Sequence, residues 1–213
     1  MISHSRREML SRILLSMAGT SLLPLDSLAN HSPHVSTGDS KDPLPFYVPP
    51  TSPLQPGPGG LDIRVLVRSS QTNMQFSCVE FAMAPKKMGP APHYHRKLDE
   101  LTYVLEGTVS VLLNDTLHEV PAGGWFLRPR NIEHSFFNGS DKPFRALDMY
   151  FNQNFEDYLE ELFHSILPDM RKHHLTPNDP GIARRMHDLH ERFDMVGYPE
   201  KRQAVIDKYG LVA

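Results

Sequence analysis

Two histidines one residue apart, a glutamate five residues on, and a third histidine beyond a proline-rich turn constrain this chain more than any other feature: His93, His95, Glu100 and His134. Side chains alternate faces along a strand, so His93 and His95 point one way while Tyr94 points the other. Two imidazoles on one face, one residue apart, reach a single ion. Glu100 opens the apolar run Leu101–Leu105 and adds a carboxylate. His134 follows the turn Arg128-Pro129-Arg130-Asn131 and opens a further strand-like run, Ser135–Phe137. Histidines taken singly are usually surface or core residues. Four residues of ligand type at these spacings describe a first-row transition-metal site, and closing them onto one ion from distant strands requires a barrel.

The strand-like runs agree with a barrel. Ile63–Arg68, Met74–Met83, Leu101–Leu105, Thr108–Asn114, Thr116–Val120, Trp125–Leu127, Ser135–Phe137 and Phe144–Tyr150 are short and closely spaced. That spacing predicts a sandwich or barrel. Asn114-Asp115 predicts a tight hairpin, and Asn138-Gly139-Ser140-Asp141 a second one. Pro85, Pro90 and Pro92 interrupt pairing ahead of the first ligand.

The ligand stretch resembles the two signature motifs of the cupin superfamily. The first is matched by Gly89, His93, His95, Glu100 and Gly107, with three residues between Gly89 and His93 where the family usually has five. The second is matched by Gly123, Pro129, His134 and Asn138, with Asn131 in place of the usual glycine. Asn also tolerates the left-handed conformation. The resemblance spans about residues 60–152. It implies an all-β, double-stranded β-helix (jelly-roll barrel) with short C-terminal α-helices. It also implies one divalent transition metal held by His93, His95, Glu100 and His134. Iron, manganese, nickel, copper, cobalt and zinc all suit such a site, so the metal's identity stays open.

Composition adds bounds. A formal charge of −3 with no basic tract gives no case for nucleic acid. The single cysteine, Cys78, excludes an internal disulfide and sits in an alternating run as a small core residue. Residues 1–29 hold Ser5-Arg6-Arg7-Glu8-Met9-Leu10, an apolar stretch from Ile13 to Leu25, and Ser27-Leu28-Ala29 before a candidate cleavage site. This resembles a bacterial twin-arginine export signal, which implies a periplasmic or extracellular protein. The apolar stretch is too short to serve as a stable membrane anchor, which takes about 20 residues. Residues 30–60 are Pro-rich and read as a linker or N-terminal arm, with Phe46-Tyr47-Val48 able to dock on the barrel or a partner. Residues 61–152 are the barrel and 153–213 a C-terminal helical extension.

In that extension Phe155, Tyr158, Leu159, Leu162, Phe163 and Ile166 form a helical stripe capped by Asn154 and packed against the outside of the barrel, ended by Pro168. A second helix runs from Asn178-Asp179-Pro180 to about Phe193, and a third from Pro199 to Tyr209, stopped by Gly210. His187 and His190 read as solvated helix residues.

For the site itself, parity places Thr102 and Val104 with Glu100, and Phe136 with His134, as pocket walls. Phe126 and Arg128 lie near the mouth. Arg128 either holds an anionic or phenolic substrate or is a surface arginine. Glu100 either binds the metal or acts as a general base. Three functions follow. The first is a dioxygenase acting on a small phenolic or enolic substrate with dioxygen, resembling quercetin-dioxygenase-like cupins. The second is a metal-dependent isomerase or lyase on a sugar or keto acid. The third is a non-catalytic small-molecule-binding cupin. The resemblance also implies a homodimer.

Overall fold

In a computed structural model, residues 43–212 are described. Residues 1–29, read above as an export signal, and residues 30–42 of the arm lie outside them. Among the described residues no helix is long and apolar enough to cross a membrane.

Among the described residues, ten strands form two five-stranded antiparallel sheets. One is ordered β1 (Leu61–Val67), β2 (Phe76–Met83), β9 (Phe144–Phe151), β4 (Asp99–Glu106) and β7 (Trp125–Arg128). The other is ordered β10 (Met195–Gly197), β3 (His93–His95), β8 (His134–Phe137), β5 (Thr108–Leu113) and β6 (Thr116–Pro121). This agrees with the sandwich or barrel that the closely spaced runs predict and with the jelly roll that the resemblance implies. Alternation is plain in β9, where Phe144, Ala146, Asp148 and Tyr150 are buried and the residues between them are half-buried. The inward residues of both sheets, among them Ile63, Val79, Phe81, Met83, Val104, Val109 and Val111, make one continuous core.

Turn chemistry sets the strand joints. Asn114, at φ 50°, closes the β5–β6 hairpin. Asn131, at φ 62°, takes the left-handed conformation that glycine usually supplies in the second motif. Gly107 is required where it stands. It has φ +75°, and a Cβ there would lie 2.8 Å from the Pro143 carbonyl oxygen.

Four expectations are corrected. Asn138–Asp141 is not a hairpin turn, because it carries the chain from β8 in one sheet to β9 in the other. There the buried Asn138 side chain donates to the carbonyls of Met83, Ala84 and Lys142. Pro168 does not end its helix. The helix Phe155–Glu161 passes through a π-helical turn, Leu162–Ile166, into Leu167–His173, so Pro168 sits at the start of a new helical segment where its missing N–H costs little. The extension is not wholly helical, since β10 pairs with β3. Its stripe also does more than lie on the outer wall, because Phe155, Tyr158, Leu159 and Ile166 join the barrel's interior core. The later helices run Pro180–Arg192 and Arg202–Tyr209, the last closed by Gly210 in the left-handed conformation. Of the arm, Leu44, Phe46, Tyr47 and Val48 stay exposed.

Candidate metal centre

The ligand residues come from opposite sheets. β3 turns both His93 and His95 inward and buries them, with Tyr94 half-buried between. Its neighbour β8 aligns His134 with His93, and β10 covers its other edge by aligning Met195 with His95. Across the barrel, β4 presents Glu100, whose register partners are Arg128 on β7 and Tyr150 on β9.

One ligand nitrogen from each of His93, His95 and His134 lies within 4.8 Å of the other two. Nδ1 of His93 lies 2.9 Å from the Ala91 carbonyl oxygen, and Nδ1 of His134 lies 2.9 Å from that of Ile132. Donation from Nδ1 to these carbonyls leaves the Nε2 lone pairs free, the arrangement metal-binding histidines use. Glu100 stands beside them. Its Oε2 is 2.7 Å from His134 Nε2, and its Oε1 is 3.7 Å from His95 Nε2. The 2.7 Å approach misses hydrogen-bond alignment. Both nitrogens of His95, Nε2 of His134 and Oε2 of Glu100 are therefore buried with no hydrogen-bond partner. Buried polar atoms without partners are costly. Oε2 of Glu100, Nε2 of His134 and one His95 nitrogen stand together beside His93, which fits a divalent ion, and the three histidines can hold one.

Protonation favours the same reading. Burial, reinforced by His134 and His95, holds His93 well below the usual imidazole range. Burial pushes His95 down to about 4. Both rings are thus neutral, the ligand form, at neutral pH. Burial alone would raise the Glu100 carboxyl, but Arg128, His134 and His95 outweigh it and hold it well below the usual carboxylate range.

The predicted pocket residues distribute as follows. Thr102 and Val104 are buried on the Glu100 face. Phe136 faces inward, 5.3 Å from Phe81 between ring centroids. Phe126 packs against His118 at 4.9 Å. Arg128 is neither a surface arginine nor at the mouth. It is 1% exposed, wholly inside the barrel, with Nη2 donating to Asp148 Oδ2 at 2.8 Å. Its Nε has no partner. Trp125 points outward and is exposed against Tyr103.

Three neighbours of the site escaped the sequence reading. Asp148 and Tyr150 face inward beside Arg128. The signal was available, since Asp148 is the one acid at inward parity in the apolar run Phe144–Phe151. Phe155 meets His95 edge-on with centroids 4.9 Å apart, and stacks on Tyr158 at 4.6 Å. The aromatic stripe therefore caps the histidine cluster. His190 is half-buried against Tyr158, not solvated, while His187 is exposed.

Residues 79–150 match the cupin domain family (Cupin_2). The chain carries a cupin domain. Solved structures overlap this cupin core in part. The polyketide cyclase RemF from Streptomyces resistomycificus is 30% identical, with a TM-score of 0.40 over 46% of this chain and 70% of that one. KdgF from Halomonas sp. is 17% identical, with a TM-score of 0.41 over 46% of this chain and 84% of that one. A cupin-superfamily sugar phosphate isomerase from Silicibacter pomeroyi is 22% identical, with a TM-score of 0.38 over 43% of this chain and 60% of that one. No curated protein sequence matches the chain significantly.

Proposed function

We propose that this cupin is a metal-dependent dioxygenase acting on a small enolic or phenolic molecule. The observation that carries the metal-dependent part is the convergence of buried, unpartnered His95, His134 and Glu100 atoms beside His93. His93, His95 and His134 would hold the ion, with Glu100 as fourth ligand or adjacent base. Once bound, the metal supplies Lewis acidity toward a substrate oxygen and one-electron chemistry toward dioxygen. The chain's own residues supply the rest. Glu100 is ionised and accepts the substrate hydroxyl proton at a carboxylate oxygen. Val104, Phe126 and Phe136 would wall a planar ring, and Phe155 beside His95 would shield that side from water. The oxygen-using choice rests on the resemblance of the ligand spacing to quercetin-dioxygenase-like cupins.

The test is oxygen consumption by metal-loaded protein on a panel of flavonols and simpler enols. Uptake that depends on substrate, and is lost in Glu100→Gln, supports the proposal. Conversion of sugars or keto acids without oxygen uptake replaces it with an isomerase or lyase. Tight ligand binding with no turnover replaces it with a binding module.

Export and pairing belong to the same proposal. The Arg6-Arg7 segment directs the folded, metal-loaded chain to the periplasm or beyond, where it acts as a homodimer. Replacing both arginines with lysine and following the protein by fractionation tests the first. Light scattering tests the second.

A further inference from the structure

Behind Glu100 lies a second layer that neither the ligand motif nor the proposed reaction uses. Arg128 Nη2 donates to Asp148 Oδ2 at 2.8 Å and to Thr102 Oγ1 at 3.0 Å. The Thr102 hydroxyl donates in turn to Asp148 Oδ1 at 2.5 Å, closing a ring of three side chains. The Tyr150 hydroxyl adds a donor to Asp148 Oδ2 at 3.2 Å. These residues stand on three adjacent strands in direct register, Glu100 with Arg128 and Tyr150, Thr102 with Asp148. The guanidinium is further confined by Phe136, whose centroid lies 5.3 Å from its Cζ. A planar guanidinium fixed on this many sides has one orientation. That orientation aims Nη1 at Glu100 Oε2, 3.5 Å away.

Glu100 therefore sits between two claims. Its Oε2 faces His134 on one side and Arg128 on the other. Its oxygens approach His134 and His95 at 2.7 and 3.7 Å, yet among the described residues only the three histidines have ligand atoms all within 4.8 Å of one another.

We propose that Arg128, locked by Asp148 and Thr102, is a positioning residue that draws Glu100 partly away from the metal and keeps it a weak, exchangeable ligand. The proposal rests on the metal-centre reading. It also explains why an arginine is buried where an apolar residue would fill the barrel at less cost.

The test compares metal binding in the wild type, in Arg128→Met combined with Asp148→Leu, and in each of these with Glu100→Gln added. The paired replacement removes Arg128 and Asp148 together, so neither is left as an unpaired ion, and the Glu100 carboxylate keeps its charge for the metal. Affinity is read by competition with a chromophoric chelator, and coordination by the absorption spectrum of the cobalt-loaded protein. Removing an outer-shell partner that supports a ligand typically costs about 10–100-fold in metal affinity; Arg128 pulls against its ligand, so the sign should reverse and we expect the paired variant to bind about tenfold tighter. Its cobalt spectrum should change, and Glu100→Gln should cost more affinity there than in the wild type. A purely structural role for the pair would lower thermal stability but leave both spectrum and Glu100 dependence alone, and that result overturns the proposal. Should the paired variant not fold, Arg128→Lys keeps the charge without the fork. It should move affinity and spectrum in the same direction by less, and unchanged values overturn the proposal equally. Absence of metal binding in the wild type would instead remove the metal-centre reading itself.

Discussion

Acid should destabilise the metal-free protein through His95, and the size of the effect follows from burial. The His95 ring is 1% exposed and its pKa falls from 6.5 to about 4, chiefly because burial opposes the charged form. Below pH 6.5 the unfolded chain takes up a proton that the folded chain refuses until pH falls through about 4. The stabilising contribution is therefore complete above 6.5 and is lost as pH drops through that window. At about 1.4 kcal/mol per pH unit, His95 alone contributes about 3 kcal/mol by pH 4. His93 is shifted in the same direction and adds to the loss. The assay is urea denaturation in a chelator, from pH 7.5 to 4.5, on the wild type and His95→Gln. The variant cannot titrate at this position, so the wild type should lose stability faster with acid and the gap between the curves should change by about 2–3 kcal/mol across the range. Parallel curves would show that His95 is not held neutral in the barrel, and the reasoning would fail.

Other perturbations test the architecture around the site. Phe155→Ala removes the ring that covers His95 and packs on Tyr158 and Tyr150. Deleting a buried phenylalanine costs about 3–5 kcal/mol, which a thermal melt should show as a clear fall in Tm. Gly107→Ala forces a Cβ into a left-handed position 2.8 Å from the Pro143 carbonyl oxygen, and should cost at least about 1–2 kcal/mol by denaturation. Cys78 is buried, with its thiol pushed up to about 11 mainly by burial. It should resist a thiol reagent at pH 8 in the native protein and react promptly in urea, and rapid native labelling would contradict its place in the core.

The shared inward face of His93 and His95 was legible because strand parity is local. His93 and His95 share a face whatever surrounds them, and Asn114 and Asn131 announce left-handed turns through their own side-chain chemistry. The helices of the extension were legible for the same reason, from apolar spacing and from caps such as Asp179-Pro180 and Gly210. What escaped depends on long-range pairing. Asp148 becomes a site residue only because β9 lies between β2 and β4, and nothing within Phe144–Phe151 states that order. Met195–Gly197 is too short to read as a strand, and becomes one because β3 offers it a free edge. Arg128 reads as a surface residue by type, and only the Asp148 and Glu100 carboxylates opposite make its burial tolerable. Pro168 misleads because a proline ends a regular α-helix but is accommodated at a π-helical turn.

The central claim, a metal ion held by three buried histidines, is tested most directly by elemental analysis of the folded protein after exposure to divalent metals and removal of excess. His93→Ala and His134→Ala serve as controls, and circular dichroism verifies their folding. The account predicts one equivalent of a transition metal per chain in the wild type and little in either variant. Wild-type protein that retains no metal, or folded variants that retain as much as the wild type, would contradict it.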